Sequence, residues 1–289
     1  MKDTALAKAT KEAMKKFNIR ASKKNGQNFI IDEEAINTIL KTASINEEDR
    51  VLEIGPGLGT LTRFLCEKAA KVLAVEIDKQ IVSTLNVTMS DCKNFVLIND
   101  DFLRLNIRTL LKGDENDKKY KVVANLPYYI TSPIIMKLLE EKDMVDSITL
   151  MVQKEVAHRI CANPRGKEYG ILSVAVQYHS VPKIIADVPA ASFMPKPDVD
   201  SAIIHLKIRE EPAVRVADEK LFFKVVRASF GQRRKTLLNS LYGSDLKLDK
   251  NMLKDILSNI EIDGTRRAET LSLNEFALIT DEIGLFLNK

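Results

Sequence analysis

The chain has 289 residues, 45% of them apolar and 29% charged, enough to bury one large core and a smaller one, as a soluble globular protein does. No uninterrupted apolar stretch approaches the roughly 20 residues needed to cross a bilayer, and the N-terminal run MKDTALAKATKEAMKKF lacks the apolar centre of a secretory signal, so the cytoplasm is the expected address and a membrane partner is not expected. Cys66, Cys92 and Cys161 are far apart and odd in number, and His158, His179 and His205 show no ligand spacing, so neither a disulfide framework nor a metal site is expected.

The first element in chain order is a basic arm. Residues 1–31 carry eight Lys or Arg against Asp3 and Glu12, 8 − 2 = +6, while the whole chain is only +4, so the remainder is slightly acidic. A phosphate backbone attracts such an arm, and a solvated helix face would use the same residues. Short runs rich in Val, Ile and Leu then follow: RVLEIG, KVLAVEID, NFVLIND, YKVVANL and SITLMVQ. Helical stretches such as TLTRFLCEKAA and PIIMKLLEE separate several of them, the pattern of a parallel sheet wound by helices on both faces. Two further apolar runs, LSVAVQYH and SAIIHLKI, flank the Pro-rich PAASFMPKPDVD and are expected to form an antiparallel pair at the sheet edge. Past residue 209 the strand signal stops. LFFKVVRASF, RKTLLNSL, DKNMLKDILSNI and NEFALITDEIGLFL read as helices, which places a boundary near Glu210-Glu211-Pro212 and divides the chain into 1–209 and 210–289. A second basic knot, Arg233-Arg234-Lys235, opens one of these helices, and the two patches together favour a nucleic acid over a small-molecule partner.

Chemistry gathers at the carboxyl ends of the parallel strands, where ligands bind in such sheets. The first strand ends in the turn Glu53-Ile54-Gly55-Pro56-Gly57-Leu58-Gly59, whose glycines let a ligand approach the backbone closely. Its third glycine follows the second by two positions, and Pro56 removes an amide that a pyrophosphate would use, so the dinucleotide fingerprint is not met. Glu76 ends the second strand, where an acid in this fold accepts hydrogen bonds from ribose hydroxyls. Asp101 ends the third and is suited to the amino group of an adenine, or equally to capping a turn. The fourth runs into Asn125-Leu126-Pro127-Tyr128. Pro127 fixes its own φ and biases Leu126 toward an extended conformation, so that the Asn125 oxygen can accept from an exocyclic amine while the Tyr128 ring stacks on the base. A simple strand-ending turn would also use these residue types.

The ordered set GQNFIID, VLEIGPGLGTLT, VLAVEID, NDDFL, NLPYYITSPII, MVQKEVAHRI, YGILSVAVQYH, SFMPKPDVDSAI and FGQRRKTLLNSL resembles the ribosomal RNA adenine dimethylase family, and within it the small-subunit type, over nearly the whole chain. The resemblance implies a Rossmann-like methyltransferase domain of the α/β class that uses S-adenosyl-L-methionine, with a smaller all-helical C-terminal domain that binds RNA or the ribosome. It implies N6,N6-dimethylation of two adjacent adenosines near the 3′ end of small-subunit rRNA, within the immature 30S subunit, by a monomeric chain without metal. Carried over by position, Gln27, Asn28 and Ile30 close over the methionine part of the cofactor, Gly55 and Gly57 line it, Glu76 takes the ribose, Asp101 the adenine, and Asn125 lies between methyl donor and target. Leu126 joins Asn125 in holding the amine, Pro127 and Tyr128 hold the base, and Phe193 covers its other face. Arg233, Arg234 and Lys235 contact RNA phosphates. A nicotinamide-linked dehydrogenase shares the glycine turn and Glu76 but leaves the NLPY turn unexplained. A large-subunit dimethylase of the antibiotic-resistance type usually carries Ile in place of Leu126 and lacks the QRRKTLLNSL segment. An assembly factor that acts mainly by binding the immature subunit would use the same basic surface.

Overall fold

The computed structural model describes residues 4–21, 26–111, 118–232 and 234–287, which form two compact units. One holds the chain up to Ala157 together with Val181–Ile208; the other holds His158–Ser180 and the chain from Arg209 onward.

The first unit opens with helix α1 (Ala5–Lys16), strand β1 (Phe29–Ile30) and helix α2 (Glu33–Ala43). Asp32 caps α2 by accepting from the amides of Glu34 and Ala35, and Ile36, Ile39 and Leu40 recur at helical spacing to bury one face. The winding then follows as β2 (Arg50–Ile54), α3 (Thr60–Cys66), β3 (Lys71–Glu76), α4 (Lys79–Thr88), β4 (Phe95–Asn99), α5 (Ile107–Leu111), β5 (Tyr120–Asn125), a single 3₁₀ turn (Tyr128–Ile130), α6 (Thr131–Glu140) and β6 (Val145–Gln153). Helix α7 (Lys154–Cys161) and helix α8 (Ile171–His179) precede β7 (Ser180–Val188), β8 (Phe193–Met194) and β9 (Ser201–Ile208). The seven-stranded sheet has the order β4-β3-β2-β5-β6-β9-β7. From β4 to β6 neighbours run parallel, and β9 closes antiparallel on β6 with Leu150 opposite Ile204. Strand order reverses between β2 and β5, so the ends of those two strands diverge and leave a crevice.

The run LSVAVQYH is helix α8, not the expected strand, and the edge strand is the following segment, SVPKIIADV. A short apolar run does not distinguish a buried helix from a buried strand by periodicity. Burial decides: Val174 and Tyr178 enter the core of the second unit with Phe222, Val225 and Phe276. Pro182 lies in β7 at the sheet edge, where a missing amide costs no ladder bond. Residues 158–180 therefore belong with the helical unit, although the expected division placed them before the boundary at 209.

The second unit adds α9 (Glu219–Phe230), α10 (Leu237–Tyr242), α11 (Lys250–Asn259) and α12 (Leu273–Leu287). Ser272 and Glu275 form a reciprocal cap at the start of α12, the Glu275 amide donating to the Ser272 hydroxyl at 3.2 Å and the Ser272 amide to Glu275 Oε2 at 2.8 Å. Among the described residues no helix is long and apolar enough to cross a membrane, and no cluster of three or more His, Cys, Asp or Glu side chains is placed to hold a metal ion.

Candidate active site

A cavity of about 310 Å³ lies in the first unit at the crevice between β2 and β5, within the size range of small-molecule pockets. Its wall is drawn from segments far apart in sequence: Gly26–Ile30, the turn after β2, the ends of β3 and β4, and the run Asn125–Ile130. Parallel strands that end together bring them to one edge.

The glycine turn is bent by backbone that side chains resist. Gly57 has φ +56°, and a Cβ there would stand 3.1 Å from the Phe29 ring; Gly59, at φ +82°, caps α3, and a Cβ there would stand 2.8 Å from Leu85. Glu76, 6% exposed, reaches under this turn. Its Oε1 accepts from the Asp78 amide at 2.9 Å and its Oε2 from the Gly57 amide at 3.4 Å. Burial holds its carboxyl above the ordinary glutamate range, against those two amides. A buried carboxylate facing a cavity with only backbone donors is short of partners, and a ribose diol would supply two more. Glu53, at the end of β2, is more extreme: it is 2% exposed, its Oε2 has no hydrogen-bond partner among the described residues, and burial pushes it up to about 8.

Asp101 lines the cavity and also holds its own turn, accepting from the Leu103 amide at 2.9 Å and standing 3.4 Å from the Arg104 guanidinium. Lys137 on α6 fixes the same turn through the carbonyls of Leu103 and Leu105, 2.6 Å each. Asp101 thus both lines the cavity and holds its own turn.

Asn125 donates from Nδ2 to the carbonyl of Asn28 at 3.0 Å, a contact across 97 residues that orients the amide and leaves its oxygen without a protein partner among the described residues. Asn28 thus serves through its main chain, while its side chain donates to the Gly26 carbonyl at 3.2 Å. Gln27 donates to the Asp78 carboxylate at 3.2 Å. Gln27, Asn28, Ile30, Gly55, Gly57, Glu76, Asp101, Asn125, Leu126, Pro127 and Tyr128 all line the cavity, so eleven expected residues meet there. The Tyr128 hydroxyl is held by Ser201 Oγ at 2.8 Å, which anchors the far end of the ring; burial raises its phenol above the ordinary value.

Phe193 does not join them. Paired opposite Ile30 in the short β1–β8 ladder, it is 1% exposed and packs in the core with Ile36 and Val51, because the ladder turns that face inward. Arg234 and Lys235 are exposed in the second unit and make no ion pair among the described residues, whereas Arg233 lies outside the described residues. Glu53, Phe102 and Tyr129 line the cavity without having been expected there. Glu53 was visible as an acid ending a strand; the other two carry no sequence signal.

A parallel sheet with a glycine turn, a buried acid at the end of the neighbouring strand and an Asn-Leu-Pro-Tyr turn at the switch point defines a methyltransferase domain that uses S-adenosyl-L-methionine. The family model for ribosomal RNA adenine dimethylase matches residues 18–278. The chain is 47% identical over 276 residues to the ribosomal RNA small subunit methyltransferase A of Alkaliphilus oremlandii, covering 96% of each. A dimethyladenosine transferase structure from Plasmodium falciparum superposes with a TM-score of 0.73 at 25% identity, covering 90% of this chain and 97% of that one. The 23S rRNA methyltransferase ErmE superposes with a TM-score of 0.66 at 26% identity, covering 89% and 100%. The chain belongs to the ribosomal RNA adenine dimethylase family. Its reaction is methyl transfer from S-adenosyl-L-methionine to adenine of ribosomal RNA.

Proposed function

We propose that this enzyme dimethylates N6 of two adjacent adenosines near the 3′ end of small-subunit rRNA, acting as a monomer on the immature 30S subunit in the cytoplasm. The free oxygen of Asn125, oriented by the Asn28 carbonyl in the wall of the cavity, is the observation that carries the reading. Higher identity to a small-subunit relative, 47%, than to the 23S enzyme, 26%, supports the choice of subunit.

Glu76 is assigned to the ribose hydroxyls, Asp101 to the adenine amino group, and Gln27, Asn28, Ile30, Gly55 and Gly57 to the remainder of S-adenosyl-L-methionine. When bound, that cofactor supplies an activated methyl group on a sulfonium. Adenine N6 is a weak nucleophile because its lone pair is delocalised into the ring, so the protein's task is positioning. Asn125 Oδ1 and the Leu126 carbonyl accept the two N6–H bonds and favour a pyramidal nitrogen whose lone pair is free of the ring. Both acceptors are neutral, which suffices because the departing proton becomes acidic only as the new bond forms and then passes to water. Pro127 shapes the turn, and the Tyr128 ring, fixed by Ser201, stacks on the extruded base, contributing on the order of 1–3 kcal/mol. That offsets most of a flipping cost of a few kcal/mol.

Asn125→Ala tests the reading. The variant is expected to keep cofactor and subunit affinity and to lose roughly 100-fold or more in single-turnover rate, the scale seen for one preorganised hydrogen-bonding group. A rate near wild type removes Asn125 from the chemistry. Mapping the methylated nucleotides on purified small subunits tests the choice of substrate.

A further inference from the structure

Tyr129 is 61% exposed, yet it lines the same cavity as the buried end of the site. Its ring is backed on one side by Gly26, where a Cβ would stand 3.4 Å from ring atom Cδ1 and which itself has φ +59°. The neighbouring Tyr128 turns its hydroxyl to Ser201 at 2.8 Å. Both tyrosines belong to one 3₁₀ turn, Tyr128–Ile130, in which successive side chains point about a third of a turn apart. One ring therefore serves the cavity and the other stands at its mouth, held from behind and bare in front.

We propose that Tyr129 is a positioning residue that stacks on the base next to the target adenine, and so holds the RNA in register for both transfers. The inference rests on the reading that RNA adenosines are the substrate. The target adenine reaches Asn125 in the cavity wall, and its neighbour, one phosphodiester away, lies toward the opening where Tyr129 is exposed. There it meets the Tyr129 ring. A π-face recognises any base and needs no exocyclic amine, so the same platform accepts an unmodified neighbour and one already dimethylated. Where two adjacent adenosines are modified in turn, each is the neighbour of the other.

The experiment compares Tyr129→Ala and Tyr129→Phe with wild type on small subunits purified without N6 methylation, alongside calorimetric titration of S-adenosyl-L-methionine. The expected result is unchanged cofactor affinity in both variants and a rise of roughly tenfold or more in KM for subunits in Tyr129→Ala, the loss of one stacked base. Products of Tyr129→Ala are expected to carry the modification on one adenosine more often than on both. Tyr129→Phe is expected to behave as wild type, since stacking needs the ring. An unchanged KM in Tyr129→Ala, an equal loss in Tyr129→Phe, or a parallel fall in cofactor affinity overturns the inference while leaving the substrate assignment intact. If wild type binds cofactor but transfers no methyl to the subunits, the substrate assignment fails and the inference falls with it.

Discussion

Glu53 ends β2 with 2% of its surface exposed and a carboxyl pushed up to about 8, chiefly by burial and further by the charge of Glu76. In the unfolded chain the same group titrates near its ordinary 4.5. Between those values the unfolded chain has released the proton and the folded one still holds it, so this residue makes stability fall as pH rises through the window, and level off above it. Glu53→Gln is expected to flatten that slope, because glutamine keeps the shape without a proton to lose. Denaturant midpoints measured across the window check it; an identical slope in both proteins shows that Glu53 titrates normally. Residue type alone pointed to Glu76, Asp101 and Asn125, since their positions at strand ends follow from the winding. It misplaced Phe193, because an aromatic between prolines serves a core as readily as a base, and the one-residue register of the β1–β8 ladder chooses between them.

At the scale of elements, the glycine turn and α4 form one packed assembly. Leu85 on α4 and Met89 just after it lie where a Cβ at Gly59 would fall, at 2.8 Å and 3.3 Å, and Gly59 holds φ +82°. Gly59→Ala is therefore expected to lower stability by on the order of 1–3 kcal/mol through the left-handed backbone and the clash together. Thermal denaturation of the purified variant checks the loss. Leu85 is fully buried, so Leu85→Ala has a cavity cost of its own; in a double-mutant cycle Gly59→Ala is expected to cost less in the Leu85→Ala background than in wild type, and an equal cost in both assigns the loss to the backbone alone. Periodicity located the parallel strands and the C-terminal helices. It failed at α8, where every side chain from Leu172 to Val176 is buried and no polar face marks the 3.6-residue period.

At the scale of the whole molecule, a net charge of +4 conceals a basic N-terminal arm and the knot at Arg233-Arg234-Lys235. Arg234 and Lys235 are exposed and make no ion pair among the described residues. Free cations of this kind exchange counterions with a phosphate backbone. The double variant Arg234→Gln, Lys235→Gln is expected to bind small subunits less tightly and to flatten the slope of log affinity against log salt by up to about 2, one for each phosphate no longer neutralised, with the melting temperature unchanged. An unaltered slope rules the pair out as an RNA-binding surface. Sequence by itself determined the alternation of strands and helices, the glycine turn, the acids at strand ends and the Asn-Leu-Pro-Tyr turn, because these depend on local geometry and on the order of motifs along the chain. Only the tertiary structure decided that the Asn28 carbonyl orients Asn125, that Ser201 holds Tyr128, that residues 158–180 join the helical unit and that Tyr129 stands bare at the cavity mouth. Each of those rests on contacts between residues distant in the chain, which no local pattern encodes.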